Sequence, residues 1–375
     1  MHDVAIIGGG VIGLAIAWRA ASNGLAVVVV DPSPGSGASH VAAGMLAPVA
    51  ETNFGEQSRL ELSRESWRRY PAFIAELEDV SDHATGYLQC GALIVARDAD
   101  DMAPIEREHR FRAALGLREQ RLSSRECRRL EPGLAPSVRG GVLADDDHQV
   151  DPRALVTALL AACQRLGVEM VRSGATAVNV TGDRASGVQA GEREIVASTT
   201  VLAAGAWSAQ IAGIPDDAVP PVRPVKGQIL RLLSASATAP VNRIVRGRDV
   251  YIVPRGDGRV VVGATVEERG FDTSVTAGAV YELLRDAREL VPDVGEMELA
   301  EVSAGLRPGT PDNGPLIGET SLKGLLVATG HYRNGILLAP ITADAITALL
   351  TGATPPAATA PFTPARFARG AVVLA

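Results

Sequence analysis

Val4-Ala5-Ile6-Ile7, then Gly8-Gly9-Gly10-Val11-Ile12-Gly13, then Leu14-Ala15-Ile16-Ala17-Trp18-Arg19-Ala20-Ala21 is the stretch that decides the fold. It reads as a short apolar strand, a glycine-rich turn and the start of a helix. Gly8, Gly10 and Gly13 fit G-x-G-x-x-G. One glycine allows the tight turn, one lets the backbone approach a pyrophosphate, and one lets helix pack closely on strand. The helix N-terminus offers free N–H groups and a positive dipole end to phosphates. A second apolar run, Ala26 to Val30, ends in Asp31, an acid about 20 residues on that suits an adenosine ribose. The context, strand before and helix after, predicts a dinucleotide site.

Composition bounds the rest. With 375 residues the chain is long enough for two domains, and 46% hydrophobic with 21% charged residues is ordinary for a globular protein. A net charge of −7 gives no basic field, so neither nucleic acid nor an anionic membrane is an expected partner. Three cysteines, Cys90, Cys127 and Cys163, lack metal spacing and suit a reducing compartment. His2 and Asp3 stand where a signal peptide would be basic, and no apolar run reaches the ~20 residues of a spanning helix. A soluble cytoplasmic protein is the expectation.

Small residues follow Asp31: Gly37, Ala38, Ser39, Ala42, Ala43 and Gly44, with no charge before Glu51 other than His40 if protonated. Small side chains let backbone lie against a large flat ligand. Glu56 to Leu77 reads as a helix, Leu88 to Ala96 as a strand, and Asp98 to Leu117 as a charged helix. Arg118 to Leu130 reads as a solvated helix face. Asp145-Asp146-Asp147-His148 reads as an exposed acidic loop, and no metal site is expected. Asp151-Pro152 starts a helix that Gly167 caps.

Val168 to Val171, Ala177 to Val180 and Thr199 to Leu202 read as strands. The last runs into Ala203-Ala204-Gly205-Ala206-Trp207-Ser208, again small enough to lie near the first glycine turn. Proline-rich Pro220 to Pro224 marks a crossing between domains. Alternating segments Gln228 to Leu232, Val250 to Pro254 and Arg259 to Gly263 predict a mainly antiparallel sheet. Val275 to Leu290 reads as an amphipathic helix with Ser274 as its cap. Gly324 to Thr329, Gly330, His331-Tyr332-Arg333-Asn334-Gly335 and the helix from Ile336 to Leu350 make a second strand-glycine-helix junction. The tail from Thr351 is expected to wrap the surface.

Both ends together resemble the D-amino-acid-oxidase-like flavoproteins, and among them the glycine oxidases. The resemblance rests on Gly8 to Gly13, Ala42-Ala43-Gly44-Met45-Leu46, Tyr251-Ile252-Val253-Pro254-Arg255, Gly305-Leu306-Arg307-Pro308-Gly309-Thr310-Pro311-Asp312 and Gly330 to Leu337. It spans nearly the whole chain. It implies an α/β fold: a Rossmann-like FAD-binding domain (1–82, 145–221 and 300–375) with an inserted α+β substrate domain (83–144 and 222–299). It implies FAD contacts at Gly8, Gly10, Val11, Ile12, Gly13, Asp31, Ala38, Ser39, Ala43, Gly44, Met45, Val178 and Gly205. Further contacts would come from His331, Tyr332, Arg333, Asn334, Gly335, Ile336 and Leu337. Val178 would present its backbone to the adenine edge. Related sarcosine oxidases hold flavin through a C-terminal cysteine; none follows Cys163, so non-covalent FAD is implied.

The implied activity is oxidative deamination of glycine, sarcosine or D-alanine, with O2 as acceptor, in the thiazole branch of thiamine synthesis. A sarcosine or D-amino-acid oxidase, or a dehydrogenase with another acceptor, is the alternative. A homo-oligomer is implied by the family. An amino-acid carboxylate entering an apolar pocket needs a fixed cation. Arg307 is the candidate, since a guanidinium fork binds carboxylate through two bonds. Tyr251 would donate to the same carboxylate, and Arg333 would neutralise substrate or reduced ring. No side chain is required as a base.

Overall fold

The computed structural model describes residues 1–52, 54–55 and 57–367. Two eight-stranded sheets form its frame. The first has the order Leu316–Glu319, Leu325–Thr329, Arg193–Leu202, His2–Ile7, Val27–Val30 and Glu169–Val171. Its four central pairings are parallel. Ala175–Thr181 and Arg184–Ala190 hang from it as an antiparallel meander. The opening strand alternates between two cores: Val4 and Ile6 pack under helices, while Ala5 and Ile7 face the meander side. A strand buried on both faces needs this continuous apolar run.

Helices Val11–Ser22, Pro152–Arg165 and Gly335–Leu350 cover one face of that sheet and share a core with Tyr70 and Phe73 of helix Gln57–Ser81. Trp18 meets Phe73 edge-on at 5.1 Å. No helix among the described residues is long and apolar enough to cross a membrane.

The second sheet runs Glu298–Gly309, Arg223–Leu233, Arg259–Gly263, Tyr251–Pro254, Ile244–Arg246, Ala92–Ala96, Gly140–Ala144 and Gln120–Ser123. All pairings are antiparallel except Ile244–Arg246 with Ala92–Ala96. One face, with Leu230, Leu232, Ile252 and Val262, packs under helix Ala277–Leu290. The other presents Ile229, Val253 and Val261 to Ala43.

Several expectations shift. The last strand of this sheet continues to Gly309, so a boundary at residue 300 falls inside a strand. The segment before Ala92 is not strand; Leu88 makes only an isolated bridge to Gln149. Arg118 to Leu130 is not one helix face: Gln120–Ser123 is the edge strand, and a Ser123–Glu126 capping box opens helix Ser124–Leu130 with Cys127 buried. Thr276, not Ser274, caps the later helix, its hydroxyl accepting from Ala279 N–H. Residue 56, the expected helix start, lies outside the described residues. The tail beyond Thr351 is anchored as well as superficial, with Phe362 buried against Leu62, Leu338 and Ile341.

Candidate functional site

One cavity of about 730 Å³ runs from the first glycine turn to the face of the second sheet. It is large enough for a dinucleotide-sized ligand.

At the turn, Gly8 has φ +108° and a Cβ there would lie 2.7 Å from the Ala203 carbonyl carbon. Only glycine allows that approach. A Cβ at Gly10 would meet only Ser39 Oγ, at 3.4 Å, so open space faces this residue. Helix Val11–Ser22 has no side-chain cap and no acid in its first turn. The Val11 N–H donates to Ser39 Oγ at 3.0 Å. Its open first turn fits a phosphate. Asp31 accepts from Gly9 N–H at 2.7 Å and Ser33 N–H at 2.8 Å while lining the cavity. These bonds fix its carboxylate at the strand end, where a ribose is expected.

Ala38, Ser39, Ala43, Gly44 and Met45 form one wall, and Gly205 lies across from them. Thr329 and Ser208 tie the Gly205 turn in place: Ser208 Oγ donates to Thr329 Oγ1 at 2.9 Å, and Thr329 Oγ1 to Gly205 O at 3.1 Å. Farther along, His331, Tyr332, Arg333, Gly335 and Ile336 line the cavity where helix Gly335–Leu350 begins. His331 is buried with Nε2 3.0 Å from Thr342 Oγ1, and burial pushes its imidazole down to about 3. It is therefore neutral. Arg333 lies over the Tyr332 ring at 5.3 Å.

The second sheet supplies the far wall. Its strands place Tyr251, Ile229, Gly227, Gly305 and Arg307 on one face through their two-residue alternation. Arg307 Nη1 donates to Thr265 O at 3.1 Å and Lys226 O at 3.3 Å. Its guanidinium lies against Gly227, where a Cβ would come within 2.5 Å of Arg307 Cζ. Tyr251 is held the same way over Gly263, where a Cβ would sit 2.5 Å from the Tyr251 oxygen. Burial pushes the Tyr251 hydroxyl up, and the nearby Arg307, within hydrogen-bond reach, pulls it partly back. A protonated phenol beside a fixed guanidinium makes a two-donor site for a carboxylate.

Arg307 and Arg333, Tyr251, and the glycine turn, far apart in sequence, thus meet in one cavity. Four expected contacts do not. Gly13 is a packing glycine, since a Cβ there would sit 3.1 Å from the Gly8 carbonyl carbon. Val178 is inside the meander core and its N–H donates to Ala212 O at 2.9 Å; Gly174, Ala175 and Thr176 line the cavity instead. Leu337 is buried, with its carbonyl taken by Ser66 Oγ at 2.6 Å. Asn334 sits at the N-cap and lines a small neighbouring pocket.

Asp147 departs from the exposed-loop reading. It is fully buried and accepts from Val49 N–H at 3.0 Å and Ala50 N–H at 2.9 Å, with its carboxyl pushed up to about 7 by burial. It braces the segment that carries Glu51 to the cavity. Glu51 and Gly227 were not among the expected site residues. Their signals were present: a lone acid closing an uncharged run, and an isolated glycine in a strand, which marks close approach.

The cavity and its walls fit an FAD-sized ligand: a glycine turn with an uncapped helix N-terminus at one end, small-residue walls along its length, and a guanidinium–phenol donor pair at the other. A family model for FAD dependent oxidoreductases, DAO, matches residues 3–349. A glycine oxidase of Geobacillus kaustophilus is 34% identical over 91% of this chain and 90% of its own length. A crystal structure of glycine oxidase from Geobacillus kaustophilus superposes with a TM-score of 0.89, covering 96% of this chain and 98% of that one, at 32% identity. A "Bifunctional protein ThiO/ThiG" of Trichormus variabilis is 37% identical over 92% of this chain but only 52% of its own length. The chain thus spans about half the length of the first curated relatives it matches. With the glycine turn, the flavin-sized cavity and a family match across residues 3–349 in agreement, the chain belongs to the DAO family of FAD-dependent oxidoreductases.

Proposed function

We propose that this chain oxidises glycine and other small amines, among them sarcosine and D-alanine, to the imine. Water then converts the glycine imine to glyoxylate and ammonia. The observation that carries this reading is the Arg307 fork fixed against Gly227 beside Tyr251, at the opposite end of the cavity from the phosphate turn. Such a pair holds one carboxylate and presents Cα to whatever lies along the wall of residues 41–45.

Gly8, Gly10, Val11 and Ile12 hold the FAD phosphates, Asp31 the ribose, and Ala38, Ser39, Ala43, Gly44, Met45 and Gly205 the walls. His331, Tyr332, Arg333, Gly335 and Ile336 would flank the ring. When bound, FAD would supply the acceptor for the hydride lost from Cα; those two electrons, with that hydrogen and the proton released by the amine nitrogen, would reach O2 as hydrogen peroxide. Arg307 and Tyr251 bind and orient the substrate carboxylate. Arg333 adds positive charge near the ring, where the N-terminus of helix Gly335–Leu350 acts in the same sense. The amine reacts in its neutral form, so no side-chain base is required.

The FAD-binding part consists of residues 1–82, 145–221 and 310–367; the substrate-binding part is 83–144 and 222–309. That division follows the two sheets. Three free cysteines support a reducing, cytoplasmic setting. We place the enzyme in the thiazole branch of thiamine synthesis and read it as a homo-oligomer, which light scattering tests. The decisive assay is peroxide release over a panel of glycine, sarcosine and D-alanine, after the absorption spectrum is recorded. Yellow protein with peroxide on glycine is expected. Dye reduction without peroxide assigns a dehydrogenase; inertness toward every amine removes the reading.

A further inference from the structure

Residues 41–45 line a wall of the cavity, yet what holds the segment 40–44 lies on its far side. Arg255 Nη2 donates to Ala43 O at 2.6 Å. Arg231 Nη2 donates to His40 O at 2.7 Å, and Arg153 Nε reaches the same carbonyl at 3.1 Å. The Gly44 carbonyl accepts from Val150 N–H at 3.0 Å. The carbonyls of His40, Ala43 and Gly44 are thus all taken on the protein side. The N–H groups of Ala43 and Gly44 have no protein acceptor among the described residues, and both residues line the cavity.

Arg231 and Arg255 are 8% and 6% exposed and neither lines the cavity. Both come from the second sheet region, whereas segment 40–44 follows the opening βαβ unit. Arg255 also donates to the side chain of Gln149, whose strand pairs with Met45. Their positive charges are incompletely matched. Each Nε lacks a hydrogen-bond acceptor, and the nearest carboxylates lie 3.8 Å from Arg231 (Glu301) and 3.9 Å from Arg255 (Asp151). Glu301 is committed to Arg153, which binds it with both Nη atoms at 2.9 and 2.6 Å. Burial lowers both guanidinium groups to about 10, which leaves them charged at neutral pH.

We propose that Arg255 and Arg231 are positioning residues for the flavin. They anchor the carbonyls of segment 40–43 away from the cavity. The Ala43 and Gly44 amides are thereby left to the flavin, and two buried positive charges stand behind the wall. A cation close to the ring in a low-dielectric setting favours the reduced, more negative cofactor. Two effects follow: tighter FAD binding through the fixed amides, and an equilibrium drawn toward reduced flavin. This rests on the proposed seating of FAD along residues 41–45.

The test uses purified holoenzyme carrying R255M, R255K or R231Q, with A42W as a control on the seating. Thermal melting, FAD affinity by fluorescence, and the flavin–reference dye redox equilibrium are measured on each. R255M and R231Q are expected to bind FAD about tenfold more weakly and to shift the dye equilibrium about tenfold toward oxidised flavin. R255K, which restores the charge, is expected to return the dye equilibrium close to the parent. A purely structural role moves melting alone. Folded R255M and R231Q that stay within twofold of the parent on both readouts, while A42W loses FAD, overturn the proposal and leave the seating intact. A42W that binds FAD unchanged overturns the seating as well. Should R255M fail to fold, R231Q decides by the same twofold criterion.

Discussion

The guanidinium of Arg307 rests on the bare backbone of Gly227, so closely that a Cβ at 227 would come within 2.5 Å of Arg307 Cζ. The neighbouring atom is the end of a long side chain, so Gly227→Ala displaces the fork rather than the strand. Folding and yellow colour are expected to persist. The carboxylate site, however, is pushed out of register. A loss of about tenfold in kcat/KM on glycine, about 1.4 kcal/mol, is the expected outcome. A variant with parent-like kinetics shows that the fork need not lie where the structure has it.

Removing the fork altogether is a stronger test. Arg307→Ala is expected to keep FAD, because the glycine turn proposed to hold the phosphates lies at the other end of the cavity. It strands the substrate carboxylate without its cation, at a cost of about 3–5 kcal/mol in kcat/KM. Arg307→Lys restores charge but not the fork, and recovers only part of the loss. Near-normal kcat/KM for Arg307→Ala takes the residue out of the role.

How much of this was legible beforehand varied with the kind of signal. The glycine turn was readable because its glycines answer to local backbone geometry: the φ of Gly8 and the contact of Gly13 with Gly8 are set within one βα unit. Arg307, Tyr251 and Arg333 were readable as residue types in motifs, and they do share one cavity. Val178 was misplaced because a meander strand gives no sign of which neighbour takes its N–H; here Ala212 does. Asp147 was misread for a related reason. Three acids in a row look solvated, and nothing local shows that Val49 and Ala50, almost a hundred residues earlier, supply its donors. The domain edge expected at 300 falls inside the strand Glu298–Gly309, which pairs with Arg223–Leu233. Such pairing is fixed by tertiary register, not by local composition.

Two glycines of the opening motif separate cofactor binding from folding. A side chain at Gly10 meets only Ser39 Oγ, at 3.4 Å, and otherwise enters the cavity. Gly10→Val is therefore expected to give folded but colourless protein, with a cooperative melt. Gly13 faces the Gly8 carbonyl across the helix–strand contact. Gly13→Val is expected to lower the melting temperature sharply or to abolish soluble expression. A yellow Gly10→Val protein with parent-like FAD content contradicts the phosphate-cradle assignment.

His331 gives the stability of the fold a defined pH dependence. The buried imidazole is pushed down to about 3, from an ordinary value of 6.5. Between those values the unfolded chain binds a proton that the folded chain refuses. The unfolding free energy thus falls as pH drops through the window, by about 1.4 kcal/mol per unit from this group. Asp147 acts in the opposite sense. Its carboxyl is pushed up to about 7, so the folded state holds a proton that the unfolded chain releases above about 4. Stability from that source rises as pH falls from about 7 toward 4. The net curve of the parent mixes the two, and the difference between parent and His331→Gln isolates the histidine, because Asp147 is common to both. Urea unfolding at pH 6.5 and 5.0 is expected to show the parent losing about 2 kcal/mol more than His331→Gln over that interval. Equal losses in the two proteins mean that the imidazole accepts its proton in the folded state and that burial does not hold it neutral.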